Sequence, residues 1–343
     1  MTGVSGPRAS APWRLRRAVL PVVAALLALA GGCKSSELPD LDAGAPIARG
    51  AAPDYGTVAA DHNRRATVAG MMSADAVGTL QWMENGEQRT EQVEAKLYYG
   101  GPGKVHLAVR KLSQTLLILG SKPDGLYFAV DVRAKPPAMR VGGMRQWPQA
   151  GAGGSARAGT LASLTGVARA LDDVLGVAPV PLEAGTLAGT QWSTAGNLLG
   201  LSYVRADRGG VKVRRWLSTD GQLRLLQTEL FAPTGGPLAT SRVQAFDVLT
   251  GGTQSPPPLL PAAILIAVEG AEQVRIDLRL VDVRQEATLN PVLFDAAAQA
   301  EAAGVTRLID LDGTKVPEWP TTTPTAGPAA AQPAAVRPAE TKK

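Results

Sequence analysis

The sequence predicts a mainly β protein with some α: a strongly curved antiparallel sheet of about 10–11 strands, a half-open barrel, covered by an amphipathic helix. Three observations predict it. Short apolar-rich segments recur between residues 77 and 284, separated by turn chemistry such as Gly100-Gly101-Pro102-Gly103 and Lys122-Pro123-Asp124-Gly125. Glycine supplies positive φ in such turns and proline pre-sets them. One stretch, Thr160 to Val177, changes to helical spacing and supplies the cover that a curved sheet needs on its concave face.

In chain order, Tyr55 to Thr67 reads as a short helix. The first strands are Val77 to Met83, Gln92 to Tyr99, Lys104 to Arg110, Thr115 to Leu119 and Leu126 to Arg133. In the last of these the even positions are apolar, so that face is expected to be buried and the other wet. The helix places Leu161, Leu164, Val167, Ala168, Leu171, Val174 and Leu175 on one face, with Thr160 as N-cap and Gly176 near the end. Strands resume at Leu201 to Arg205, Val211 to Leu217, Gln222 to Phe231, Ser241 to Leu249, Ala263 to Val268 and Val274 to Arg284. In the last, Val274, Ile276, Leu278 and Leu280 share a face, and Val281 and Val283 then break phase, which suggests a bulge or the strand's end. Ala297 to Ala303 reads as one more short helix.

The N-terminus carries four arginines (Arg8, Arg14, Arg16, Arg17), an apolar run from Ala18 to Ala30, and then Gly31-Gly32-Cys33, the one cysteine of the chain. A basic region followed by about 13 apolar residues, too short for a comfortable permanent span, reads as an export signal over residues 1–32. Small residues directly before Cys33 resemble a lipoprotein cleavage box, so Cys33 is expected to become the lipidated first residue. The departure from that box is Ala30, where a bulky aliphatic residue is usual. An ordinary secretory signal or an uncleaved anchor are the other readings. Two or three acyl chains on Cys33 would hold the protein on a membrane. Residues 33–53 then form a lipidated cysteine and flexible tether, 54–316 the folded domain, and 317–343 a Pro/Ala/Thr-rich tail expected to be a solvated extension.

Without residues 1–32 the formal charge falls from +5 to +1. No basic stripe is left for phosphate contacts, so nucleic acid is not an expected partner. A single cysteine leaves no internal disulfide. His62 and His106 stand far apart without a second ligand at metal spacing, and there is no Gly-x-Ser-x-Gly elbow, phosphate loop or dinucleotide fingerprint. No catalytic site, cofactor or metal is expected. Asp172-Asp173 and Asp310-Leu311-Asp312-Gly313 read as solvated surface charge. Trp82, Trp147, Trp192 and Trp216 are either cavity-lining or plain core residues.

The segment Val105 to Gly120 (VHLAVRKLSQTLLILG), with Pro123-Asp124-Gly125 after it, resembles the third and fourth strands of the LolA/LolB-like lipoprotein carriers and receptors. Ser163-Leu164-Thr165-Gly166 onward, ending in Leu175-Gly176-Val177-Ala178-Pro179-Val180-Pro181-Leu182, is similar to that family's lid helix and its exit. The resemblance implies a half-open barrel with a helical lid and a hydrophobic cavity for acyl chains of lipids or lipoproteins, in a monomer without catalytic activity. Trp82, Leu107, Val109, Phe128, Val130, Leu164, Leu171, Ile276 and Leu278 are the residues expected to line that cavity. The receptor branch probes the membrane with a leucine on the loop between those two strands, where this chain has Leu112; the other reading is a strand-end leucine folded back on the core. The chain departs from the family in its glycine-rich Ala150 to Gly159 insert, its tail and its length. An envelope lipoprotein with a filled core, acting structurally or through partners, is the alternative. Lys34 after the cysteine, where aspartate would signal inner-membrane retention, leans toward the outer membrane facing the periplasm.

Overall fold

The computed structural model describes residues 41–42, 45–67, 70–84, 86–123, 125–146, 164–183, 187–249, 255, 257–269 and 273–312. Cys33, Trp147, the insert, Thr160 and residues 317–343 lie outside them.

Fourteen strands form one sheet: β1 (Met71–Glu84), β2 (Glu87–Tyr99), β3 (Val105–Lys111), β4 (Gln114–Ser121), β5 (Leu126–Asp131), β6 (Ala138–Gly143), β7 (Gly189–Trp192), β8 (Leu198–Arg205), β9 (Val211–Ser218), β10 (Leu225–Phe231), β11 (Pro237–Val248), β12 (Leu259–Val268), β13 (Val274–Glu286) and β14 (Arg307–Asp310). Their order is β14-β6-β5-β4-β3-β2-β1-β13-β12-β11-β10-β9-β8-β7, antiparallel except where β14 joins β6 in parallel. The sheet is curved and unclosed, with β7 and β14 as its edges. Its curl is visible at Asp172. The backbone N–H of Gly103, in the β2–β3 turn, and the guanidinium of Arg208, in the β8–β9 turn, both reach this carboxylate, at 2.7 and 2.9 Å. Five strands separate β2 from β9 in the sheet.

The expected fold class is the observed one. Three short strands, β6, β7 and β14, add to those expected, and β1 begins six residues earlier than expected because Met72, Ala74 and Ala76 continue the inward alternation. Gly78 is required in β1: a Cβ there would sit 1.8 Å from the Asp277 carbonyl oxygen of the neighbouring strand. The expected break after Leu280 is a bulge. The β1–β13 register shifts between Ser73 and Asp75, and Asp282 takes φ +52°. The extra residue returns Val283 to the inner face, where it packs on the core.

Helix α1 (Tyr55–Ala66) is capped by Asp54, whose carboxylate accepts from the Thr57 N–H at 3.0 Å, and it ends with Arg64 and Arg65 where the helix dipole favours cations. The cover is two short helices, α2 (Leu164–Ala168) and α3 (Leu171–Val174), where a single helix was expected. The break falls at Arg169-Ala170. There the Arg169 carbonyl accepts from the Arg208 guanidinium at 2.8 Å, and Ala170 leaves helical geometry at φ −125°, ψ 33°.

Two apolar clusters result. The larger lies between the inner face of the sheet and the cover. The smaller lies on the other face of β4–β6, beneath α4 (Ala296–Ala302). The expectation of one wet face on β5 is therefore corrected: Tyr127 and Ala129 face the main core, Phe128 and Val130 face α4, and all four are buried.

Candidate interior binding site and its ionic cluster

Period-two alternation aims Trp82 from β1, Leu107 and Val109 from β3, and Ile276 and Leu278 from β13 at the inner face. Leu164 from α2 and Leu171 from α3 come from the cover, which packs on β4, β5, β10 and β11, and all seven belong to one buried cluster. Phe128 and Val130 do not join it. They pack with Ile118, Met139 and Val141 against Ala296 and Ala300 of the C-terminal arm. Their sequence signal was genuine burial, but the layer that buries them begins more than 160 residues further on.

The inner face is closed over by the cover in this conformation: Leu107, Val109, Leu164, Leu171, Ile276 and Leu278 are each at most 1 % exposed. The indole of Trp82 carries the Arg133 guanidinium over its face at 4.3 Å, an attraction between a cation and the ring quadrupole. Trp192 is half-buried, with Arg49 stacked on it at 4.9 Å, and Trp216 sits on the outer face and donates to Glu229 at 2.8 Å.

Into this apolar interface the chain places charge. Asp172 and Asp173, read as solvated from the sequence, are fully buried. Asp172 pairs with Arg208 at 2.9 Å. Asp173 faces Arg215 at 3.2 Å and Arg205 at 3.4 Å, and accepts from the Tyr203 hydroxyl at 2.8 Å. Arg215 also donates to the Ala178 carbonyl at 3.0 Å, beyond the end of α3. A desolvated carboxylate is tolerable only with such partners. The cluster ties the cover to β8, β9 and the turn between them.

His62 of α1 extends the network. Its Nδ1 lies 3.1 Å from the Leu223 carbonyl oxygen, so Nδ1 carries the proton, and Nε2 accepts from Arg215 at 3.3 Å. Burial first, and the Arg215 charge second, push its pKa down to about 3. His106, on the outer face of β3, is covered by α4 and lies 3.3 Å from the Gln299 side-chain oxygen; burial lowers its pKa to about 4. Burial raises the Tyr203 hydroxyl well above its usual value. Each of these groups is held in its neutral form.

Two features lie outside the interior. Leu112 and Ser113 form a two-residue hairpin turn between β3 and β4, both at positive φ (+47° and +68°), and Leu112 is 89 % exposed. It is not folded back on the core. Residues 45–53, read as tether from their composition, make specific contacts along the β7 end of the sheet. Ile47 N–H donates to the Ala195 carbonyl at 2.7 Å, Arg49 to the Gly196 carbonyl at 2.7 Å, and the Trp192 indole to the Gly50 carbonyl at 2.9 Å.

With this geometry in view, the chain is similar to LolA-superfamily and lipoprotein-sorting structures. A LolA-superfamily protein of Nitrosomonas europaea aligns at 12 % identity and TM-score 0.42, over 71 % of this chain and 98 % of that one. A putative outer-membrane lipoprotein-sorting protein domain of Vibrio parahaemolyticus aligns at 13 % identity and TM-score 0.41, over 70 % and 95 %. A DUF1329-family protein of Desulfovibrio piger aligns at 11 % identity and TM-score 0.40, over 71 % and 96 %. No family model and no curated protein matches the sequence.

Proposed function

We propose that the protein is a membrane-anchored envelope lipoprotein that binds acyl chains of lipids or lipoproteins between its curved sheet and the cover formed by residues 164–180. The observation that carries this reading is the continuous apolar interior, closed by residues 164–180, which are held at a charged cluster, and by Tyr55, Val58 and Ala59 of α1. Each methylene moved from water into such an interior is worth about 0.8 kcal/mol. A chain lying along Leu107, Val109, Ile276 and Leu278 replaces contacts those side chains now make within the buried cluster. Nothing in this exchange calls for a catalytic group. Native mass spectrometry of full-length Cys33→Ala protein purified without detergent tests it: co-purifying lipid is expected, and a lipid-free spectrum after incubation with lipid vesicles overturns the reading.

The second reading, an envelope lipoprotein with a filled core that acts structurally or through partners, is favoured by the near-complete burial of the inner face. It predicts that lipid-free result.

Anchoring belongs to the same proposal. Acyl chains on Cys33 hold the protein on a membrane, with Lys34 favouring the outer one, and Leu112 dips into an opposing or underlying bilayer during transfer. Because Ile47 is held against the sheet, the chain between Cys33 and that contact has a reach of at most ~50 Å. Cys33→Ala is expected to move the protein from the membrane to the soluble fraction. Continued sedimentation with membranes counts against lipidation.

A further inference from the structure

We infer that the lower ends of β12 and β13 form a lateral mouth through which a hydrocarbon chain enters the interior tail first; this rests on the acyl-binding reading above.

The two strands are paired only from Ala263↔Arg279 to Val268↔Val274. Beyond that point each follows its other neighbour. Leu259, Leu260 and Pro261 stay on β11, opposite Val248, Asp247 and Phe246, while β13 continues on β1 as far as Glu286. Two local features make them part. Pro261 has no N–H to give a ladder and is normally confined to edge strands, and β12 becomes an edge at that residue. On the other side, the bulge at Asp282, with φ +52°, bends and twists β13 away.

The split opens a cleft of about 300 Å³, at the lower end of the range for small-ligand pockets. Its floor includes Leu249, Leu260 and Leu280, which are 3 %, 2 % and 7 % exposed and belong to the main interior cluster. The half-exposed Val248 and Val281 stand at its outer edge. Aliphatic side chains thus stand both at the entrance and at the floor, with the polar groups of the parted strands and of Asp247 and Asp282 between them.

The occupant is a hydrocarbon tail with a neutral head. A tail requires no hydrogen bonds and leaves the backbone groups of the cleft to water. Asp247 also lines the cleft and is exposed, whereas Asp282 there is paired with Arg284, so a carboxylate head group meets like charge at Asp247, and a neutral one does not.

The test uses full-length Cys33→Ala protein and a fluorescent monoacylglycerol, followed by stopped flow. Ala262→Trp, which fills the cleft, is expected to slow uptake about tenfold, roughly the effect of adding 1.4 kcal/mol to the barrier, while the amount bound at equilibrium stays the same. Val204→Trp, on the outer face far from the cleft, is expected to leave the rate alone. As a variant independent of packing, the exposed Asp247→Lys is expected to raise the uptake rate of the matching fluorescent fatty acid relative to the monoacylglycerol by roughly threefold. An unchanged rate in Ala262→Trp together with an unchanged ratio in Asp247→Lys overturns the mouth but leaves acyl binding standing. No binding of either probe by the parent protein overturns both.

Discussion

Asp173 of the cover and Arg215 of β9 are both completely buried and meet at 3.2 Å. Around them the interface is leucine, valine and isoleucine, so neither ion has water to fall back on. The Tyr203 hydroxyl and the Arg205 guanidinium also face Asp173, and the Ala178 carbonyl and the His62 ring accept from Arg215. The cover is thus held by apolar contact over its length and by charge at one place.

Removing one partner from such a pair strands the other. Asp173→Ala leaves Arg215 and Arg205 facing an apolar side chain, and the expected loss is about 3–5 kcal/mol in urea unfolding. Replacing both members, as in Asp173→Leu with Arg215→Met, is expected to restore part of that loss, since the desolvation cost goes with the charges. A single variant with a wild-type midpoint would mean the pair is solvated in solution.

Much of the scaffold was legible in local pattern. Helices α1 and α4 fall within a residue of their expected bounds, and the phase break at Val281 and Val283 marked the bulge at Asp282. What was not legible depends on distant chain. Asp172-Asp173 looks like any polar pair on a helix until sheet curvature brings Arg208 and Arg215, 36 and 42 residues from the carboxylates they meet, into contact. Phe128 and Val130 carry the right hydrophobicity for an inner face, but nothing near them announces that the C-terminal arm covers the opposite side. The available signal for a charged interior was phase: Arg205 follows Leu201 and Tyr203, and Arg215 stands between Val213 and Leu217, each on the apolar side of its strand.

Acid should loosen the fold through its histidines. The pKa values of about 3 for His62 and about 4 for His106 lie below the ordinary value of 6.5, so between these limits the unfolded chain binds protons that the folded one excludes. Their contribution to stability is complete above about pH 6.5 and drains as pH falls toward 4 and then 3. The slope is up to about 1.4 kcal/mol per pH unit for each histidine. Histidine Cε1–H resonances are expected to stay at their neutral positions from pH 8 to pH 5; a resonance titrating near 6.5 contradicts the burial of its ring.

Leu112 sits at a local cost. A left-handed leucine is disfavoured by about 1–2 kcal/mol, and with 89 % of its surface exposed it recovers little by packing. Leu112→Gly is expected to leave stability unchanged or raise it by up to ~1 kcal/mol. If the side chain enters lipid, Leu112→Glu spares folding but weakens association with phosphatidylcholine vesicles by about tenfold or more, as expected when a leucine's ~1.5–3 kcal/mol of burial is lost. Equal vesicle binding by parent and Leu112→Glu proteins would leave the exposed leucine without that role.

The two clusters separate stability from binding. Phe128→Ala empties a position beneath α4, and Leu278→Ala empties one in the main cluster on the inner face. Both are fully buried, so both are expected to be destabilising, by about 3–5 and 2–5 kcal/mol respectively. Their effects on ligand should differ. Leu278→Ala removes apolar wall from the space assigned to the acyl chain and adds room there, which changes both affinity and preferred chain length in equilibrium titrations with monoacylglycerols. Phe128→Ala acts on the far side of the sheet and is expected to leave both unchanged under conditions where each variant is folded. If Phe128→Ala shifts the chain-length preference and Leu278→Ala does not, the binding space lies beneath the C-terminal arm and the inner face is only a core.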